Sequence, residues 1–317
     1  MRQACYALVA LTSVLCLSAR PGDPPASSRV GTKIADFRLK DTRGQTVALA
    51  DQKGKAVVVV FTGTQCPLAN LYLPRLAELH KEFSPQGVSF LAIYSNLQDD
   101  ARKVAEFAKK HEIPYSTLRD ESQTVADQFG ASRTPEVFVL DAARTVRYQG
   151  RIDDQFAIDV RRAKATRHDL AEALREIVNG KTVSVAKTPV AGCLIGRGSK
   201  KADTGTVTYN GRIAALLQKH CQDCHRPGQI GPMPLLTYED AYPWGEMIAE
   251  VVRDRRMPPW YADPKHGKFS NDRSLPAKDR ELLLAWVEQG MPKGDAKLAP
   301  SRGSSSRHGR SASPTWS

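Results

Sequence analysis

In the first half of the chain, apolar residues come in short unbroken runs separated by segments with helical spacing. Ala56-Val57-Val58-Val59-Val60-Phe61 is continuously apolar and mostly β-branched, the pattern of a strand buried on both faces. Residues 88–94 predict a second such strand, 135–141 a third, and 145–148 a fourth that turns back towards Gly150. Between the strands, Leu68, Leu71, Leu76 and Leu79 recur near helical spacing. Segments 101–111, 122–129 and 168–178 also read as helices, the last amphipathic and stopping before Gly180. Strands alternating with helices and closing in a hairpin predict one α/β unit over residues 29–197, a mixed sheet with helices on both faces.

The pattern then changes. Residues 198–205 are small and polar (Gly198, Ser199, Lys200, Lys201, Gly205) and predict a flexible linker. From 206 to 300 the chain reads as helices and proline-rich loops, a small all-α domain with no strand. Ile213, Leu216 and Leu217 line one helix face; Leu282, Leu283, Trp286 and Val287 line another that ends before Gly290. Residues 301–317 are Ser/Arg-rich without apolar periodicity and predict a disordered tail.

The N-terminus predicts an address. Arg2 precedes the apolar run Ala7 to Leu17, followed by Ser18-Ala19 and a Pro/Gly/Ser stretch, the layout of a signal peptide over residues 1–19. Bulky Val14-Leu15 before Cys16 favours simple cleavage over lipid attachment. The run is short for a membrane span, and no other segment is apolar enough for one. The expectation is an exported, periplasmic protein with no stable membrane insertion once the signal is removed. Cleavage takes away Cys5 and Cys16 and leaves Cys66, Cys193, Cys221 and Cys224.

A composition of 41% hydrophobic and 25% charged residues fits a soluble globular chain. The net charge of +12 raises the question of nucleic acid, but Lys and Arg are spread along all 317 residues. No basic stripe interleaved with aromatics occurs, so the charge predicts a solvated surface. An acidic redox partner, an electron donor or acceptor, fits the same charge.

Cys221-Gln222-Asp223-Cys224-His225 carries the c-type haem attachment signature. Two thiols must add to two vinyl groups on one porphyrin edge, and two intervening residues form a turn that presents both. His225, next in the chain, is then placed to ligate iron. The alternatives are a Cys221–Cys224 disulfide and half of a zinc site completed by Cys193 and His266. A sixth iron ligand must come from downstream. Met257, in Arg256-Met257-Pro258-Pro259-Trp260, has a proline-fixed loop and a tryptophan able to pack on a porphyrin; Met233 is the second candidate. A Met–His pair raises a haem potential and suits electron transfer. An ordinary packing role for Met257 stays open.

This region resembles a known family. Residues 221–233, Leu236 to Ala241, Arg256 to Trp260, and Asp272 through Trp286 to Asp295 are similar to the small cytochrome c domain of planctomycete and related bacterial proteins. There it often precedes a copper-type, ascorbate-dependent monooxygenase-like domain, whose activity is not carried over because no such domain follows here. The segment Gly303 to Trp316 is similar to an out-of-frame reading of what continues those proteins, which implies truncation by frameshift. Resequencing that finds no downstream frame encoding a copper domain would overturn it.

In the first unit, Cys66 stands at a strand end just ahead of a helix, where a helix N-terminus favours thiolate. With Thr134-Pro135 opening a later strand, the pattern resembles the thioredoxin fold, closest to the peroxiredoxin-like subgroup of the redoxins. The resemblance implies that Cys66 is the first active-site cysteine and Pro135 the cis-proline beside it. Two departures matter: Ala69 stands where a thioredoxin has its second cysteine, and Gly63 where a peroxiredoxin has its peroxide-binding threonine. Cys193 reads equally as a resolving thiol or a disulfide partner of Cys66. Arg133 is a candidate for favouring thiolate or binding peroxide, or simply a surface arginine. A copper-chaperone role would need a second cysteine and a histidine at that site.

The sequence therefore predicts an exported redox protein coupling haem c electron transfer to thiol or peroxide chemistry. The competing readings are a non-catalytic electron carrier with the thioredoxin fold as docking platform, and a haem-based sensor.

Overall fold

The protein was analysed as a computed structural model that describes residues 28–158, 160–199 and 205–301. The expected signal peptide, linker residues 200–204 and the tail from 302 onwards lie outside the described residues.

Eight strands build the first unit: β1 (Arg38–Asp41), β2 (Thr46–Ala48), β3 (Ala56–Thr62), β4 (Val88–Tyr94), β5 (Ser116–Arg119), β6 (Arg133–Thr134), β7 (Glu136–Asp141) and β8 (Val146–Gly150). Seven of them form one sheet in the order β2-β1-β5-β4-β3-β7-β8. β3, β4 and β5 run parallel, whereas β7 and β8 turn back antiparallel as the hairpin pattern predicted. β1, β2 and β5 add to the four strands expected from the sequence.

Because side chains alternate along a strand, the all-apolar β3 feeds two cores at once. Val58 and Val60 face one side, packed with Leu76, Leu79 and Phe83 of helix α2 and with Leu170 and Leu174 of α5. Val57, Val59 and Phe61 face the other, with Phe129, Phe138 and Ile93. The helices are α1 (Pro67–Leu71), α2 (Leu73–Phe83), α3 (Ala101–Lys110), α4 (Thr124–Phe129) and α5 (Asp169–Val178). Asp100 caps α3 by accepting from the Lys103 amide at 2.8 Å. Three two-residue strands complete the unit: β9 (Phe156–Ala157) pairs with β10 (Val160–Arg161), and β11 (Cys193–Leu194) pairs with β6.

The second unit is helical: α6 (Ala214–His220), α7 (Tyr238–Ala241), α8 (Gly245–Arg253) and α9 (Ala277–Glu288). Its core gathers Ile213, Leu217, Trp244, Ile248, Leu283 and the fully buried Trp286. Thr237 and Asp240 form a reciprocal capping box at the start of α7. No strand falls in residues 205–301, as expected, and no helix among the described residues is long and apolar enough to cross a membrane.

The linker composition permits independent units, but the two are packed together. Arg133 of β6 pairs with Glu250 of α8 at 2.7 Å, the Leu194 amide of β11 donates to Met247 Sδ at 3.4 Å, and the Ser199 amide donates to Tyr242 Oη at 2.9 Å.

Candidate active site

β3 ends at Thr62, and Gly63 to Gln65 carry the chain over the sheet edge to Cys66, which caps α1. Pro67 at the first helical position suits a helix start, where no amide hydrogen is needed. The helix is anchored from below by Tyr72, whose hydroxyl donates to Asp153 at 2.7 Å. Cys66 is 1% exposed. The Thr134–Pro135 peptide is cis, and the Thr134 carbonyl accepts from the Cys66 thiol at 3.0 Å.

Cys193 arrives from the far end of the unit. Its strand β11 pairs antiparallel with β6, placing Cys193 directly opposite Thr134. The backbones approach so closely that a Cβ on Gly192 would sit 2.0 Å from the Thr134 oxygen, and Gly192 has φ +142°. Only glycine fits there. The result brings the two thiols together, Cys193 acting as hydrogen-bond partner of Cys66. Cys193 is therefore paired with Cys66 and not with Cys221 and Cys224, which removes it from the zinc alternative. Among the described residues no group of three or more His, Cys, Asp or Glu is placed to hold a metal ion.

The thiols are unequal. Burial alone would push the Cys66 thiol up, but hydrogen bonds from the Cys193 thiol and the Ala69 amide bring it down to about 6. Donation to Cys66 and burial both hold the Cys193 thiol well above its ordinary range, while the Arg133 guanidinium pulls it down. One cysteine is thus a thiolate near neutrality and the other holds the proton. That pair can attack a disulfide and then close on itself.

The peroxide-binding position is filled differently. A Cβ on Gly63 would lie 2.3 Å from Asn96 Nδ2. Asn96 is buried and fixed: it donates to Asp99 Oδ2 at 2.7 Å and accepts from the Gly196 amide at 2.9 Å. The Thr64 hydroxyl, the nearest candidate to replace a threonine at 63, donates to Asp99 Oδ1 and is already used. Gly63→Thr is accordingly expected to cost about 1–3 kcal/mol by overpacking and to confer no peroxide reduction. Urea unfolding and a peroxide-consumption assay check both halves.

Arg133 is held by Glu250 and by the Gly192 carbonyl (2.9 Å), so its guanidinium bridges the two units beside the thiols. Glu136 went unnoticed in the sequence. Its buried carboxylate accepts from the Ser132 amide at 2.9 Å and from Gln149 at 3.1 Å, fixing the loop that leads into Pro135. A charge at the start of an apolar strand run was the available signal.

Residues 30–149 match the AhpC/TSA family. The N-terminal unit is a thioredoxin-like redoxin domain. It is 31% identical over 111 residues to the thiol-disulfide oxidoreductase ResA of Bacillus subtilis, a match covering 35% of this chain and 61% of that protein. The chain spans about three fifths of the length of the curated relatives it matches. Among solved structures, a hypothetical protein of Sinorhizobium meliloti is 32% identical, covering 53% of this chain and 94% of that one with a TM-score of 0.49. Peroxidoxin BcpB of Mycobacterium tuberculosis is 30% identical, covering 38% and 82% with a TM-score of 0.34. Beyond the redoxin domain's own residues, its thiol pair is walled on one side by α8, because Cys193 packs against the helical core.

A second cluster lies in the helical unit. Cys221 follows α6, and one tight turn (Cys224 N to Cys221 O 3.2 Å, His225 N to Cys221 O 2.9 Å) carries Cys221, Cys224 and His225. Both thiols are free and half-buried, and burial pushes the Cys221 thiol up to about 12. His225 Nδ1 lies 3.1 Å from the Met233 carbonyl, which can only accept, so Nδ1 carries the proton and Nε2 is left as a ligand. Met257, whose bond to Pro258 is cis, lines a cleft of about 260 Å³ with Trp260, Phe269 and Leu275. His225 does not line that cleft.

Proposed function

We propose that this chain is an exported thiol-disulfide oxidoreductase whose redox pair is Cys66 and Cys193, with a c-type haem carried by the helical unit. The observation that carries the thiol chemistry is the placement of Cys193 directly opposite Thr134, whose carbonyl meets the Cys66 thiol at the cis-Pro135 loop. The Cys66 thiolate attacks one sulfur of a substrate disulfide, forming a mixed disulfide and expelling a thiolate that takes up a proton. Cys193 then loses its proton and attacks Cys66 Sγ, releasing the second substrate thiol and leaving a Cys66–Cys193 disulfide. Two electrons pass from the pair to the substrate; the reverse sequence oxidises a dithiol substrate. The 31% identity to a thiol-disulfide oxidoreductase supports this reading over peroxide reduction, as does the filled space at Gly63.

Cys193→Ser is expected to trap the mixed disulfide on Cys66, detectable by mass spectrometry after incubation with a disulfide peptide. Absence of any adduct on Cys66 would instead favour the inert docking-platform reading, which the near-complete burial of Cys66 supports.

The helical unit fits a c-type haem. Two free thiols share one turn with a histidine whose Nε2 is left as a ligand. Several large apolar side chains on the flanking loops are exposed, among them Ile230 (90%), Tyr261 (79%), Phe269 and Met257. Such surface is what a buried porphyrin would cover. Cys221 and Cys224 would hold the group and His225 would ligate it; Met257 and Trp260, which line a cleft that does not include His225, would have to reach it from another loop. Met233 is the poorer sixth ligand, since its carbonyl serves His225 and its side chain packs into the helical core. When bound, the haem supplies one-electron storage. The N-terminal apolar run and the attachment signature together support an extracytoplasmic location. Protein produced in a strain that matures cytochrome c is expected to keep its chromophore through acid–acetone extraction; haem that extracts freely would end this part of the proposal.

A further inference from the structure

Glu250 stands on α8 of the helical unit, yet it is tied to the loops that hold the redox pair. Its Oε2 accepts from Arg133 Nη2 at 2.7 Å, and the same guanidinium donates through Nη1 to the Gly192 carbonyl at 2.9 Å. Arg133 precedes Thr134, whose carbonyl meets Cys66; Gly192 precedes Cys193. The other oxygen of Glu250 accepts from Arg256 and, at 3.4 Å, from Arg133 Nη1, so the carboxylate is held from both units. The Glu250 and Arg133 side chains are only 14% and 18% exposed, which shelters the pair from solvent screening.

We propose that Glu250 is a positioning residue of the Cys66–Cys193 pair, supplied by the helical unit: through Arg133 it pins β11 against β6 and neutralises the cation nearest the thiols. The redox site is then built from both units. The charged and titratable groups facing Cys193 are Cys66, Arg133 and Glu250, and the last two act on it with opposite sign. Arg133 favours a thiolate and Glu250 opposes one, so the two ends of a single ion pair must shift thiol reactivity in opposite directions.

The proposal rests on the pair being the redox site, but its test needs no turnover. The full-length protein, reduced, is alkylated with iodoacetamide across pH, and labelling at Cys66 and Cys193 is followed by mass spectrometry. Glu250→Gln keeps the shape and removes the charge. The first ionisation of the coupled pair is expected to move to lower pH, with Cys66 labelling at about pH 5 roughly threefold faster or more, a shift of about half a unit. Arg133→Gln is expected to move the profile the other way, and Glu250→Asp to stay near wild type. A purely structural role would loosen the site in both glutamine variants and shift them in the same direction. Superimposable Glu250→Gln and Arg133→Gln profiles, or shifts of the same sign, overturn the proposal; should Glu250→Gln fail to fold, an Arg133→Gln profile that does not move to higher pH, or a Glu250→Asp profile that moves with it, overturns it. Opposite shifts in a protein that reduces no disulfide would retain the positioning role while ending the oxidoreductase reading.

Discussion

Cys66→Ser is expected to lower disulfide-exchange turnover by roughly 10³-fold or more, because it removes the nucleophile on which the whole sequence of steps depends. Serine is nearly the same size, so the fold should survive: the site is enclosed by Thr134, Ala69 and Cys193, and a hydroxyl can still donate to the Thr134 carbonyl. The pH dependence gives a second check. A Cys66 thiol lowered to about 6 is ionised at neutral pH, so wild-type exchange should be nearly flat above that value and fall as pH drops through it. Cys193→Ala removes the side-chain donor that stabilises the thiolate, so the residual reactivity of Cys66 should move to higher pH. Stopped-flow exchange with a chromogenic disulfide from acid to neutral pH measures all three. A Cys66→Ser variant with wild-type turnover would eliminate this cysteine as the reacting group.

The largest stability effect is expected at Trp286. Its side chain is fully buried at the centre of the helical core, its Nε1 donates to the Pro292 carbonyl at 3.1 Å, and it packs near Tyr209 at a ring separation of 6.1 Å. Trp286→Ala is expected to cost about 3–5 kcal/mol, from lost transfer energy plus an unfilled cavity. A small helical unit of this kind has little stability in reserve. Guanidinium unfolding followed by circular dichroism should show the helical transition moving to much lower denaturant. A loss below about 1 kcal/mol would mean that the core recloses around the gap.

Much of the redoxin domain was legible because its central strands are continuous apolar runs. Residues 88–94 read as a strand and form β4 over that same span. β1 and β5 were missed for a physical reason: Arg38-Leu39-Lys40-Asp41 and Ser116-Thr117-Leu118-Arg119 are four-residue strands rich in polar side chains. Their strand character comes from pairing with a neighbour, not from burying two faces. The same logic divides the site. Cys66 could be singled out from its place between a strand and a helix. Its partner was reachable only as the remaining cysteine of the domain, because the two-residue β11 leaves almost no periodic signature. Glu250 was invisible, since a glutamate on an amphipathic helix reads as solvated until a second unit is packed against it. The linker's composition permitted contact between the units without requiring it; the contact is set by what lies on either side, such as Arg133 and Glu250.

The late position of β11 also orders events as the chain is made. A polypeptide threaded N-terminus first delivers Cys66 well before the strand that will face it, so for that interval the thiol is open to stray partners. Cys193 comes next, ahead of Cys221 and Cys224. The redoxin pair can therefore find itself before Cys221 and Cys224 emerge, and mispairing between the two sets is limited by timing as well as by geometry.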